Sequence, residues 1–140
     1  MKRILVGVDG SVESQAAAKY AANIAVATGS ALELAHALPD ISYVSPELSY
    51  LIDDAQAKRK EHAQLMLHDL ADGMSHQIAQ VDTSLLEGRP AHMLAEEARR
   101  HEVWLVVVGH HALGPVERTL LGSVADSLVE VCPKPVLVVR

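Results

Sequence analysis

The sequence has few aromatic side chains: it contains no phenylalanine, one tryptophan and three tyrosines, although 49% of its 140 residues are hydrophobic. A core of this composition has to be built from valine, leucine, isoleucine and alanine. Such residues suit buried strands covered by alanine-rich helices. The chain is long enough to bury a substantial core without disulfides or metals, and we expect a single domain over residues 1–140.

Cysteine, basic residues and long apolar runs are also scarce. Cys132 is the only cysteine, which excludes an internal disulfide, and no Cys-x2-Cys pattern suggests zinc. Lys and Arg number 12 against 18 Asp and Glu, and this acidic balance argues against a nucleic-acid partner. No apolar run approaches the roughly 20 residues of a membrane-spanning helix, and none has the pattern of a signal peptide. We therefore expect a cytoplasmic protein without membrane insertion.

Several motifs that carry catalysis are missing. The chain has no Gly-x4-Gly-Lys-(Ser/Thr), no Gly-x-Ser-x-Gly and no evident lysine placed to stabilise a transferring γ-phosphate. His110 and His111 are adjacent, but neighbours in an extended segment point in opposite directions, and no companion ligand stands at a zinc-like spacing. We expect no catalytic residues and no protein metal site.

Hydrophobic patterns alternate between strand and helix along the whole chain. Unbroken apolar runs predict strands buried on both faces of a parallel sheet. The predicted strands are Arg3–Val8, Ala31–Leu38, Gln77–Leu86, Val103–Gly109 and Pro135–Val139, and the predicted helices are Val12–Thr28, Tyr50–Gly73, Ala91–His101 and Ser123–Val131. This alternation predicts an α/β fold, a three-layer sandwich around a five-stranded parallel sheet, and we predict the strand order 3-2-1-4-5.

The two long helices should each turn one side toward the sheet. The expected packing residues are Ala16, Ala17, Ala21, Ile24 and Ala25 in the first helix, and a side of the second helix that includes Leu51 and Leu65. A charged KRKE run at Lys58–Glu61 is interpreted as a solvated helical face.

The segment Leu105–Ser123 carries the strongest functional signal. Its apolar run stops at Gly109, Gly114 follows, and Gly122 and Ser123 stand directly before a helix. Glycine lets backbone N–H groups approach a ligand, and a helix N-terminus favours an anion, so the pattern predicts a phosphate site. Gly109 as a strand terminator, Gly114 as a turn and Ser123 as a helix cap remain alternative interpretations.

The predicted strand order places this segment beside the end of the first strand. The direction of winding reverses between the first and fourth strands, and open α/β sheets bind ligands at the carboxyl ends of strands at such a reversal. Asp9 ends the first strand and Gly109 the fourth. We therefore expect these two residues to converge.

The last predicted strand has a separate implication. It offers Val136, Leu137, Val138 and Val139 in unbroken sequence at an edge of the predicted sheet. Unpaired backbone groups beside apolar side chains recruit another strand, and pairing around a two-fold axis gives a self-complementary interface. We predict a homodimer through this strand.

Short motifs spread over the whole chain resemble the universal stress protein family. Members that bind ATP carry Gly-x2-Gly-x9-Gly-(Ser/Thr) after the fourth strand. Here Gly109, Gly122 and Ser123 match that pattern and Ala112 takes the place of the second glycine. The other matching segments are VGVDGS at Val6–Ser11, EGRPA at Glu87–Ala91 and CPKPVLVV at Cys132–Val139.

The resemblance implies a Rossmann-like fold of the adenine nucleotide alpha hydrolase type, with ATP bound with or without Mg²⁺. It places Asp9 at the nucleotide and the main chain of Ala37 at the adenine. His111 or Arg118 could reach the phosphate oxygens, and Arg118 is the better bidentate donor. The complete predicted site is Asp9, Ala37, Gly109, His111, Ala112, Gly114, Arg118, Gly122, Ser123 and Val124.

Three functions follow as hypotheses. The leading one is an ATP-binding regulatory module of the stress response, without efficient turnover and with a regulated protein as a further partner. An alternative is a dimeric protein-interaction module that binds no nucleotide, as Ala112 and the neighbouring histidines suggest. A third is a slow nucleotide hydrolase or phosphotransferase.

Overall fold

Strands and helices alternate along the chain, which the computed structural model describes at residues 1–38, 46–110 and 123–140. The first half contains β1 (Arg3–Gly7), α1 (Val12–Thr28), β2 (Ala31–Leu38) and α2 (Ser49–Met74). The second half contains β3 (Val81–Glu87), α3 (Pro90–Glu97), β4 (Val103–Gly109), α4 (Ser123–Val131) and β5 (Val136–Val139). The strands form one sheet in the order β3-β2-β1-β4-β5, and every neighbouring pair is parallel. The predicted fold class and strand order are confirmed.

Two element boundaries differ from the prediction by more than one residue, each for a local reason. β3 begins at Val81 rather than Gln77, because the residues before it form turns in which the Ile78 side chain is buried in the core. The apolar character of that stretch therefore reflects burial without strand pairing. α3 ends at Glu97 rather than His101, because tight backbone turns lead the chain directly into β4.

The core consists of two hydrophobic clusters, one on each face of the sheet. One cluster joins the strands to α1 and α2, and the other joins them to α3 and α4. The fully buried large side chains are aliphatic, as the lack of phenylalanine requires. The sandwich therefore has three layers.

The predicted helix faces are correct only in part. In α1, Ala17, Ala21 and Ala25 are buried as expected, but Ala16 is exposed and Ala18 is buried in its place. Alanine occurs on all sides of this helix, so its pattern does not define one face. In α2 the buried side chains are Ala63 and Leu67, and the inclusion of Leu51 and Leu65 was wrong because both are more than half exposed.

Among the described helices, none has the length and apolarity needed to span a membrane.

A carboxylate is buried near the amino-terminal end of the sheet. Glu33 of β2 is 3% exposed, and its carboxylate accepts hydrogen bonds from the Ser84 hydroxyl at 2.9 Å and from the Arg100 guanidinium. Arg3 Nη1 lies 3.6 Å from the same carboxylate. A charged group is tolerated in a core only when such partners replace water. The cluster therefore links β1, β2 and β3 to the turn that follows α3.

Other carboxylates lie beside these arginines, and the pKa values of two of them shift in opposite directions. Burial raises the pKa of Glu97, whose Oε1 lies 3.1 Å from Arg100 Nε, and the neighbouring Glu33 raises it further. The pKa of Asp82 is lowered because Asp82 accepts a hydrogen bond from Arg3 Nη1 at 2.6 Å. The pKa values of the two acids shift in opposite directions because burial dominates at Glu97 and the hydrogen bond from Arg3 dominates at Asp82.

Replacement of Arg100 by alanine should lower the free energy of unfolding by about 2 kcal/mol, because it leaves the buried Glu33 with fewer partners. The value lies below that of a fully buried pair because the Arg100 side chain is 39% exposed. Arg99→Ala is the matched control, since Arg99 pairs with Glu96 at the surface and should contribute less than about 0.5 kcal/mol. Urea unfolding measures both, and equal losses in the two variants would contradict the assignment.

Candidate functional site

The carboxyl ends of β1, β2 and β4 meet at a cavity of about 120 Å³. The first turns of α1, α3 and α4 close its sides. Its lining residues in the described chain are Gly7, Val8, Asp9, Ser11, Ser14, Ala35, His36, Ala37, Pro90, Leu94, Val108, Gly109, Val124 and Ala125. The cavity lies where the order of strands reverses, at the point between β1 and β4 that open α/β sheets use for ligands.

Four of the residues predicted for the site line this cavity. They are Asp9, Ala37, Gly109 and Val124, and the expected convergence of Asp9 with Gly109 is observed. Ser123 is the first residue of α4, directly before Val124. The remaining predicted residues, His111, Ala112, Gly114, Arg118 and Gly122, lie outside the described residues.

Several lining residues were not predicted from the sequence. Ser14 belongs to the first turn of α1, Pro90 and Leu94 belong to α3, and His36 directly precedes Ala37. A signal was present for Pro90, because it stands shortly after a predicted strand in the EGRPA segment that matched the family. The position of His36 depends on a contact across the sheet that sequence does not show.

Hydrogen bonds hold Asp9 in a closed turn at the start of α1. The Ser11 N–H donates to Asp9 Oδ1 at 2.9 Å, and the Asp9 N–H donates to the Ser14 hydroxyl at 3.2 Å. Ser11 is the N-cap of α1, and its hydroxyl accepts a hydrogen bond from the Ser14 N–H at 3.1 Å. The helix cap and the orientation of the Asp9 carboxylate are therefore set by the same few atoms.

Gly109 lies directly against the backbone of α1. A Cβ atom at this position would lie 2.6 Å from the carbonyl carbon and oxygen of Glu13 and 2.9 Å from the Ser14 nitrogen. The backbone of Gly109 does not have a positive φ. Glycine is thus required here by the close approach of a helix, which accounts for Gly109 more specifically than strand termination does.

The hydrogen-bond ladder between β1 and β2 ends at the cavity. Its last rung is the bond from the Val8 N–H to the Ala35 carbonyl at 2.8 Å. In a regular parallel ladder, the next hydrogen bond would run from the Ala37 N–H to the Val8 carbonyl. That rung is not formed, and no described residue accepts a hydrogen bond from the Ala37 N–H. The Val8 carbonyl instead accepts a hydrogen bond from His36 Nδ1 at 2.6 Å.

The main chain of Ala37 consequently offers a donor and an acceptor. The N–H and C=O of one strand residue point toward the same neighbouring strand, so both groups of Ala37 face the gap beyond Val8. Among the described residues, neither group has a backbone partner on that side.

The described residues include no cluster of three or more His, Cys, Asp or Glu side chains that could hold a metal ion.

Comparison with known proteins agrees with the fold and the motifs. The model of the universal stress protein family matches residues 1–140. The chain belongs to the universal stress protein family. A curated member, the "Universal stress protein in QAH/OAS sulfhydrylase 3'region" of Thermus aquaticus, is 33% identical over 140 residues, which cover 99% of this chain and 98% of the relative.

Solved universal stress proteins have the same architecture. The universal stress protein UspA from Lactobacillus plantarum superimposes with a TM-score of 0.89 and 28% identity, over 99% of this chain and 97% of its own. A universal stress protein solved in complex with cAMP has a TM-score of 0.72 and 26% identity, with 99% and 96% of the two chains covered. Adenine-nucleotide binding therefore occurs among the structural neighbours of this universal stress protein.

Substitution of Gly109 by alanine should destabilise the fold by about 2 kcal/mol or more, because the new methyl group overlaps backbone atoms that cannot move independently of α1. Gly73→Ala is the control: Gly73 lies in α2 with no atom within 4 Å of the added Cβ. That variant should gain up to about 1 kcal/mol from helix propensity. Thermal and urea unfolding of both proteins provide the test, and an unchanged stability in Gly109→Ala would contradict the close contact.

Proposed function

We propose that this universal stress protein binds ATP, with or without Mg²⁺, in the cavity at the ends of β1, β2 and β4. In this proposal it acts in the cytoplasm as a regulatory module of the stress response, through a protein partner and without efficient turnover. The observation that carries the proposal is the main chain of Ala37, whose N–H and C=O have no backbone partner among the described residues on the side of β1, beside a cavity that three helix N-termini enclose.

The Ala37 groups complement the hydrogen-bonding edge of adenine. An N–H donor matches a ring nitrogen of adenine, and a carbonyl acceptor matches its 6-amino group. Guanine presents a ring N–H and a 6-oxo group on the same edge, so donor would face donor and acceptor would face acceptor. A mismatched polar edge is rejected because buried groups are left without partners.

The opposite side of the cavity suits the phosphates. Helix N-termini carry unpaired backbone N–H groups and a partial positive charge, and the first turns of α1 and α4 open here. Asp9 contributes a carboxylate at the end of β1, and carboxylates are the ligands that Mg²⁺ uses beside phosphate oxygens. Asp9 is thus the described residue that would face a phosphate-bound cation or a ribose hydroxyl.

Relatives of this chain support nucleotide binding, and its sequence argues against efficient catalysis. Gly109, Gly122 and Ser123 match three of the four positions of the pattern that the resemblance assigns to ATP-binding members, with Ala112 at the fourth, and a related protein was solved in complex with cAMP. The motifs and the lysine that accelerate phosphoryl transfer are missing from the sequence. A stoichiometric complex that releases phosphate slowly or not at all is the expected behaviour.

Calorimetric titration tests the site directly. Wild-type protein should bind ATP at least about tenfold more tightly than GTP, because the reversed edge of guanine loses two hydrogen bonds. Ala37→Leu should abolish ATP binding by filling the cavity, whereas Ala27→Leu, on an exposed position of α1, should leave it unchanged. If the wild type bound no nucleotide, the proposal would be wrong and the dimeric interaction module would be favoured.

We also propose that two copies of the chain pair through β5. Among the described strands, β5 is bonded to β4 alone, and it lies at the edge of the sheet. The carbonyl of Pro135 accepts a hydrogen bond from the Val106 N–H of β4, and that of Val139 accepts one from the His110 N–H directly after β4. The backbone groups of Val136 and Val138 therefore point outward. Those outward groups are the ones that a second copy of β5 would bond.

Val138→Pro should convert a dimer into a monomer, because it removes an outward N–H without removing a bond to β4. Val138→Ala, which keeps that N–H, should remain dimeric and serves as the control. A change of charge is less suitable here, since the Val138 side chain packs partly against the core. Light scattering at micromolar concentration measures the mass, and a monomeric wild type would refute the proposal.

A further inference from the structure

His36 is an unusual residue for its position. Glu33 and His36 are the two polar side chains in the eight residues of β2, although an interior strand of a covered parallel sheet is ordinarily apolar throughout. Glu33 is explained by its arginine and serine partners. The described hydrogen bond of the half-buried His36 ring is the one to the Val8 carbonyl, and its effect on the backbone has functional consequences.

The chemistry of this bond defines the donor. A carbonyl oxygen can only accept, so the contact of 2.6 Å requires the proton to be on Nδ1. Nδ1 carries a proton in one neutral tautomer and also in the imidazolium form. The bond therefore holds in both charge states of the ring.

The bond uses the acceptor on which the next rung of the β1–β2 ladder depends. Earlier rungs follow the parallel pattern, as in the bond of 2.8 Å from the Ala31 N–H to the Lys2 carbonyl. The pattern continues as far as the bond from the Val8 N–H to the Ala35 carbonyl and stops before Ala37. The Val8 carbonyl is the acceptor of the missing rung, and it is bonded to His36 instead.

We propose that His36 is a positioning residue for the ligand: its imidazole binds the Val8 carbonyl, ends the ladder one rung early and leaves the Ala37 N–H free to bind the nucleobase. The ligand part of this inference rests on the proposed function. The backbone part does not, because it concerns the ladder in the ligand-free protein. His36 acts through Val8 and Ala37 and need not contact the base itself.

His36→Leu should let the ladder extend by one rung, because the imidazole no longer holds the Val8 carbonyl out of line with the Ala37 N–H. Amide hydrogen exchange of Ala37, followed by NMR in the ligand-free protein, should become at least about tenfold slower than in the wild type. Affinity for ATP should fall about fivefold or more, the effect of losing one hydrogen bond. Affinity for inorganic tripolyphosphate, which has no base, should not change.

His36→Asn provides the matched rescue. Its amide nitrogen lies at about the same distance from the backbone as Nδ1 and can donate to the Val8 carbonyl. This variant should restore the fast exchange of Ala37 and most of the ATP affinity. A histidine that only filled space would be replaced better by leucine than by asparagine, so the order of the two variants distinguishes the roles.

The outcomes separate this inference from the proposed function. If wild-type protein bound no ATP but Ala37 exchange slowed in His36→Leu and recovered in His36→Asn, the proposed function would be wrong and the role of His36 in the ladder would be supported. Equal exchange of Ala37 in wild type and His36→Leu would overturn the inference, whatever the nucleotide result. Parallel losses of ATP and tripolyphosphate binding would also overturn it, since they would indicate a collapsed site.

Discussion

The contact between Gly109 and the first turn of α1 is the constraint on which the rest of the site depends. The backbones of the two segments are in direct contact there: a Cβ atom on Gly109 would be only 2.6 Å from the carbonyl of Glu13. This approach brings the N-terminus of α1 to the end of β4. Ser14, in the same turn, bonds the Asp9 N–H, so one contact places both the helix and the end of β1 at the cavity.

Polar groups toward the two ends of the sheet serve different purposes. At the amino-terminal end, the Glu33 carboxylate is matched by Arg3, Arg100 and Ser84, and the result is a closed structural cluster. At the carboxyl end, the main chain of Ala37 has no described backbone partner on the side of β1. Satisfied groups hold the layers together, whereas unsatisfied groups at a cavity are available to a ligand.

The fold was largely predictable because its signals are local and repeated. The apolar runs of β2 and β4 predicted their observed bounds, and both bounds of α1 were also predicted correctly. The predictions were wrong where one local sequence pattern is compatible with two structures. Ile78 is apolar because it is buried outside a strand, and the alanines of α1 occur on every side of the helix.

The sequence by itself determined the alternation of elements, the strand order and the convergence of Asp9 with Gly109, because parallel crossovers restrict which ends of strands can meet. Only the tertiary structure decided why Gly109 is a glycine and which backbone groups of Ala37 have no partner among the described residues. Both depend on distances between segments far apart in the chain: β4 against α1, and His36 against Val8. Hydrophobic periodicity reports which face of an element is buried, and it contains no information on which carbonyl a side chain reaches across the sheet.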